Sequence, residues 1–222
     1  MAEWCINSEV IVGPVKEISF LYLSMYRWLK DPKTKVDDTD TDILEDKALY
    51  RIASGAGLDI NTWQFNRGHF EALPELKSCD SPQGLITFVT QTTWDPVPEV
   101  WREILKHCAP NCQYYYLSIC DILNQFKKYD PTGLYFPEKY YISGIQDHSD
   151  DSELSQDIAE VAYEEENLLK LLSHLLQQNK SLQELIDIFN NKYGLENYRH
   201  KNHTGDYLQI YEIEEEEYNI LC

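Results

Sequence analysis

Basic side chains are scarce in this sequence. Its 222 residues hold 19 Lys and Arg against 38 Asp and Glu, a formal net charge of −19. A surface with that balance repels polyanions, so direct binding of DNA, RNA or an anionic membrane is disfavoured without a local basic patch. The longest basic stretch, YRHKNH at 198–203, contains only Arg199 and Lys201 as full charges. A basic partner is the electrostatically natural one. Long apolar runs are missing too: nothing approaches the roughly 18 residues that a membrane-spanning helix needs. The opening MAEWCINSEV has neither the positive nor the apolar stretch of a secretory leader, so none is expected. Six cysteines at irregular spacings then suggest reduced thiols and a cytoplasmic location.

Glycine is sparse as well, nine in the whole chain, which leaves no glycine-rich phosphate cradle. Gly-x-Ser-x-Gly, Gly-x-x-x-x-Gly-Lys and His-Glu-x-x-His are all absent, which lowers the case for an enzyme without closing it. No cofactor is expected. What is plentiful is apolar and aromatic area. Hydrophobic residues make up 43% and aromatics 13%, with 16 tyrosines, enough to offset the entropy of ordering a core.

Residues 4–13, WCINSEVIVG, alternate as a strand with Ile6, Val10 and Val12 on one face. An amphipathic helix follows Gly13-Pro14, carrying Ile18, Leu21, Tyr22, Met25 and Leu29 and ending near Asp31-Pro32. Residues 31–47 read as an exposed acidic insertion, and 48–63 have no clear pattern. GHFEAL at 68–73 is a strand candidate, 74–84 a loop, and LITFVTQTTW at 85–94 a strand rich in β-branched residues. A helix with prolines in its first turn then presents Val97, Val100, Ile104, Leu105 and Cys108, and QYYYLSIC at 113–120 is the next strand. The order β-α-β-β-α-β is that of a ferredoxin-like antiparallel sheet with helices on one face, an α+β fold.

Residues 129–151 look loop-rich. A long helix is expected over about 153–178, with Leu154, Ile158, Val161, Leu168, Leu172 and Leu175 nearly in heptad register and a break at Glu165. Ser181 and Glu184 form a capping box opening a second helix, Gly194 stops it, and DYLQIYEIE is a closing strand. Two domains are therefore expected: 1–144, and an acidic helical hairpin plus strand over 145–222. Residues 145–222 hold 18 acidic and 5 basic side chains, a net of −13.

The stretches WCINSEVIVGP, LITFVTQTTWDPVPEVW and CQYYY resemble a ferredoxin-like domain family of phage and plasmid proteins, named after a gene product of an aphid-endosymbiont bacteriophage. The motifs that carry the resemblance are Trp4-Cys5-Ile6-Asn7 and Thr92-Thr93-Trp94-Asp95-Pro96-Val97-Pro98, within residues 3–120. The resemblance implies the fold and a mobile-element origin, and no chemistry.

Several constellations could carry chemistry. Asp38, Asp40 and Asp42 have the odd spacing of a calcium loop, but Ile43 stands where its glycine belongs and Leu49 where its last glutamate belongs, so a solvated loop is the better reading. His107, Cys108, Cys112 and Cys120 could offer zinc ligands, though Cys108 suits the core of its helix better. His148 with Asp147, Asp150 and Asp151 could serve acid–base or metal chemistry, against which stands an ordinary acidic helix start. No metal site is expected from these sets.

The strongest feature is acid beside aromatic rings. Glu164, Glu165 and Glu166 form one block after Tyr163. Glu212, Glu214, Glu215, Glu216 and Glu217 form another, interleaved with Tyr207, Tyr211 and Tyr218. Adjacent glutamates repel one another, and a cationic partner would offset that repulsion. The expected function is thus a non-enzymatic interaction protein of a phage or mobile element. It would bind a basic, nucleic-acid-handling host protein, such as a CRISPR nuclease, and inhibit it as a nucleic-acid mimic. The alternative is a small metal-dependent hydrolase using the Asp/His sets. Homodimerisation through helix 153–178 stays open.

Overall fold

The computed structural model describes residues 4–30, 48–59, 68–78, 82–93, 96–145, 157–200 and 207–217 of an α+β chain. It divides into two compact units, Met1–Tyr129 and Asp130–Cys222, where the sequence suggested a boundary after 144.

The first unit runs β1 (Trp4–Pro14), α1 (Val15–Lys30), α2 (Ala48–Gly55), β2 (Gly68–Ser78), β3 (Gln83–Thr93), α3 (Pro98–Cys108), β4 (Gln113–Cys120) and β5 (Gln125–Tyr129). Its strands lie in the order β2-β3-β1-β4-β5, and all four adjacent pairs are antiparallel. Ile11 lies opposite Ile86 on one side and Tyr114 on the other. With Phe88 and Tyr116 these residues make one face of the sheet, and Ile18, Leu21 and Met25 of α1 and Val100, Trp101, Ile104 and Leu105 of α3 cover it. Gly55 permits α2 to meet α1 closely: a Cβ there would stand 2.2 Å from Cγ of Trp28.

Both faces of β1 carry buried residues. Cys5, Asn7, Glu9 and Ile11 are buried on the helix-covered side, while on the face that Ile6, Val10 and Val12 share, Val10 is buried and Ile6 is 46% exposed. Period-two alternation locates a strand but leaves open which face turns inward when both carry apolar residues. Three element expectations also change. Strand β2 continues through Pro74 to Ser78, with register shifts between Phe70 and Glu75 that accommodate the proline. Residues 48–55, without a clear pattern in sequence, form α2. The stretch expected to be loop after Tyr129 contains a strand.

That strand is β6 (Tyr140–Ile145), the centre of the second unit. It is followed by β7 (Val161–Tyr163), α4 (Glu165–Leu176), α5 (Leu182–Tyr193), α6 (Leu195–His200), β8 (Tyr207–Glu212) and the two-residue β9 (Glu214–Glu215). The sheet order is β7-β6-β8, antiparallel throughout. Leu168, Leu172, Leu185, Ile186 and Phe189 pack against Ile142, Leu208 and Ile210. From α5, Asn190 Nδ2 donates to the Ile210 carbonyl at 3.2 Å and its Oδ1 accepts from the Ile210 amide at 2.8 Å. The side-chain amide thereby acts as one more strand partner for β8. Gly144, at φ +137°, lies so close to β8 that a Cβ would be 2.0 Å from the Tyr207 carbonyl oxygen.

The long helix over 153–178 is not formed. Helix α4 begins at Glu165, the residue that breaks the heptad pattern, and Val161 belongs to a strand. The physical reason lies in the glutamates: Glu165 and Glu166 sit in the first turn, where negative charge complements the helix dipole. The Ser181–Glu184 capping box is present as expected, with each partner satisfying the other's backbone.

Candidate functional site

In the second unit β6 pairs antiparallel with both neighbours, so β7 and β8 run parallel to each other. Tyr140 faces Tyr163 on one side and Glu212 on the other. Both outer strands therefore end beside Tyr140. Glu164–Glu166 leave from one of them and Glu214–Glu217 follow the other. Topology gathers two acidic blocks, about 50 residues apart in sequence, at one end of a small sheet.

Lys139 sits between them. Its amide donates to the Tyr163 carbonyl at 2.9 Å, and its own carbonyl accepts from the Ile213 amide at 2.8 Å. Its ammonium lies 2.9 Å from Glu165 Oε2, and this pairing raises the lysine pKa. The Tyr140 phenol is raised by burial, then by the Glu212 and Glu165 charges. Both shifts go the way a negative local field dictates. Part of the acid is already engaged. Glu166 pairs with Lys170 one turn on, at 2.6 Å, and Glu215 Oε1 accepts from the Asp130 amide at 2.8 Å. Glu164, Glu165, Glu166, Glu212, Glu214, Glu215 and Glu217 are exposed, whereas Glu216, Tyr207 and Tyr211 are half-buried. Tyr218 lies outside the described residues.

The first unit holds a polar cluster that the sequence did not reveal. Ser118 Oγ donates to Asn7 Oδ1 at 2.7 Å, and Asn7 Nδ2 donates to Thr92 Oγ1 at 2.9 Å and Thr90 Oγ1 at 3.2 Å. Beside it the Tyr114 hydroxyl donates to Glu9 Oε1 at 2.7 Å. Glu9 is 3% exposed, and burial pushes its pKa up to about 8 against the opposing pull of hydrogen bonding. Its Oε2 and the nearby indole Nε1 of Trp101 have no hydrogen-bond partner among the described residues. The acid is thus held largely protonated at neutral pH, and its burial makes it a determinant of the fold rather than a surface acid.

No family model, curated protein or solved structure matches this chain.

The remaining candidates divide in two. Asp38, Asp40 and Asp42, and His148 with Asp147, Asp150 and Asp151, lie outside the described residues. The histidine and cysteine set is described and dispersed. His107 Nδ1 is 2.8 Å from the Glu103 carbonyl on its own helix, and Cys120 is buried with its thiol 3.8 Å from the Trp4 carbonyl. Burial raises the Cys108 thiol, and burial with the Glu17 charge pushes Cys112 up to about 11, so neither is an activated thiolate at neutral pH. No group of three or more His, Cys, Asp or Glu among the described residues could hold a metal.

Proposed function

We propose that this chain is a non-enzymatic interaction protein whose second unit presents an acidic end to a basic, nucleic-acid-handling protein and competes there with nucleic acid. The observation that carries this reading is the convergence of Glu164–Glu166 and Glu212–Glu217 on either side of Tyr140. Carboxylates in a row attract the arginines and lysines that line a nucleic-acid channel. Half-buried Tyr163 and Tyr211 beside these blocks supply rigid area at low entropic cost, whereas Tyr207 lies at the other end of β8, opposite Ile145. We further propose that the first unit is ferredoxin-like. The β2-β3-β1-β4 order and the helices covering one face support that reading, with β5 as an addition. The resemblance carried by Trp4-Cys5-Ile6-Asn7 adds a phage or mobile-element setting, with a host defence nuclease as the target class.

The test has two arms. The purified chain is passed over host lysate at low and high salt, and the captured protein is then assayed for nucleic-acid binding in its presence. Capture of a basic enzyme, lost as the screening length falls from about 8 Å to about 3 Å near 1 M salt, is the expected result. That enzyme's nucleic acid should be displaced, and Glu214→Gln with Glu217→Gln should weaken displacement. A salt-insensitive partner, or one that keeps its nucleic acid, overturns the reading.

A further inference from the structure

Cys5 and Cys120 meet at one end of the β1–β4 pair. The ladder between these strands runs from Val12 and Gln113 to Ile6 and Ile119, so one residue further on Cys5 faces Cys120. Their other ladders hold that register. β1 pairs residue for residue with β3 from Trp4 through Ile6, and β4 does so with β5 from Ile119 to Cys120, with no bulge in either. Side chains two positions apart on a strand share a face. Asn7 and Ser118, the facing pair two positions inward, touch through the Ser118 hydroxyl at 2.7 Å, so Cys5 and Cys120 project to that same side of the sheet. The Cys120 thiol reaches the Trp4 carbonyl at 3.8 Å, beside the Cys5 backbone. Both residues are buried, and both stand as thiols.

A buried cysteine on its own is a small apolar filler. Two in cross-strand register offer more. Facing residues of antiparallel strands have Cα atoms about 4.5 or 5.5 Å apart, and both values fall inside the roughly 4.4–6.8 Å window of a disulfide. A bond between these two therefore needs no rebuilding of either strand. Position sets access. Cys5 is the second residue of β1 and Cys120 the last of β4, so opening of the ladder's end bares both sulfurs while the rest of the sheet stays paired.

We propose that Cys5 and Cys120 form a dithiol site that a small disulfide, such as oxidised glutathione, converts into a cross-strand bond between β1 and β4. The thiolate of one cysteine attacks a glutathione sulfur, and the first glutathione leaves as a thiolate and takes up a proton. The second cysteine thiolate attacks the protein sulfur of the mixed disulfide, and the other glutathione leaves in the same way. The two cysteines lose two electrons and two protons, and one glutathione disulfide becomes two glutathiones. The new bond closes a loop on the order of 100 residues, which restricts the unfolded chain and stabilises the first unit under oxidising conditions. The site is independent of the acidic end of the second unit.

The test uses the full chain, folded and without denaturant, equilibrated in glutathione buffers from fully reduced to fully oxidised. Samples are quenched with N-ethylmaleimide in guanidinium and digested with trypsin and chymotrypsin. Cleavage within Tyr114–Leu117 separates Cys120 from Cys108 and Cys112. Oxidising buffer should yield a peptide linking Cys5 to Cys120 that disappears with dithiothreitol. Tryptophan emission should stay that of the folded protein, and the urea midpoint should rise by about 1 M. Cys108→Ser with Cys112→Ser should keep the linkage, and Cys120→Ala should lose both the linkage and the rise. Recovery of Cys5 and Cys120 as alkylated thiols at every glutathione ratio overturns the proposal. So does linkage of either to another cysteine, a lasting glutathione adduct, a Cys5–Cys120 bond that forms only in urea, or one that leaves the midpoint unchanged.

Discussion

Replacing Glu9 by glutamine should stabilise the first unit at neutral pH, and the gain should vanish in acid. Glutamine keeps an oxygen to accept from the Tyr114 hydroxyl, and it carries no proton to lose. The folded pKa of Glu9 is pushed from 4.5 up to about 8, so the folded state binds its proton more tightly than the unfolded state does. The stability associated with that proton is therefore complete below the unfolded value. It declines as pH rises through the window from 4.5 to 8 and is flat above it. At 1.36 kcal/mol per pH unit, the deficit reaches about 3 kcal/mol by pH 7 and about 4 kcal/mol by pH 8. All five tryptophans lie at or before position 101, so tryptophan emission reports on the first unit. Urea unfolding of the wild type and Glu9→Gln, followed by that emission at pH 5 and pH 8, gives the comparison. The gap between the two proteins should widen by about 3 kcal/mol over this interval, and other titrating groups cancel because both proteins share them. Parallel profiles would refute the assignment of Glu9 as a buried, proton-holding acid.

Three other outcomes follow from the second unit and are checked separately. Gly144→Ala forces a Cβ onto the Tyr207 carbonyl at a left-handed φ, so it should destabilise β6 and β8 by about 2 kcal/mol or more, read as faster amide exchange in both strands. Ser181→Ala removes an N-cap and should cost about 1 kcal/mol, seen first in the opening amides of α5. Lys139→Gln unpairs Glu165 and deepens the negative field beside Tyr140, so retention on immobilised poly-L-arginine should persist to higher salt than for the wild type. Earlier elution of that variant would contradict the placement of Lys139 among the acidic blocks.

Local signals were the ones that sequence carried faithfully. Ile18, Leu21 and Met25 repeat at helical spacing and are fully buried in α1. Ser181 and Glu184 bond each other across one turn, and the tyrosine-rich run 113–120 is β4 from end to end. Each of these depends on neighbours within about a turn or a strand. The misread helix fails for the opposite reason. Residues 161–163 have a helix-compatible pattern, but β6 offers them a ladder in which Val161 meets Ile142 and Tyr163 meets Tyr140, and tertiary pairing overrides the period.

The functional surfaces divide along the same line. The amount of acid in the last third is plain from composition, yet its concentration at one end exists only because β6 enters between β7 and β8. Had β8 paired antiparallel with β7, its glutamates would leave from the opposite end. Glu9 shows the converse. Hydropathy groups Ile6, Val10 and Val12 on one face of β1 and leaves the polar Asn7 and Glu9 on the other. What turns it inward is the arrival of Thr90, Thr92, Ser118 and Tyr114 from strands some 80 to 110 positions away, which supply the hydrogen bonds that Asn7 and Glu9 need. The polar half of β1 is buried because its partners are polar too, and a single strand read alone contains no sign of them. The two chemistries therefore respond to different perturbations. On the proposed function, loss of a glutamate at the surface end should change association and leave folding intact, whereas loss of one partner of Asn7 or Glu9 strands a buried polar group and acts on folding itself.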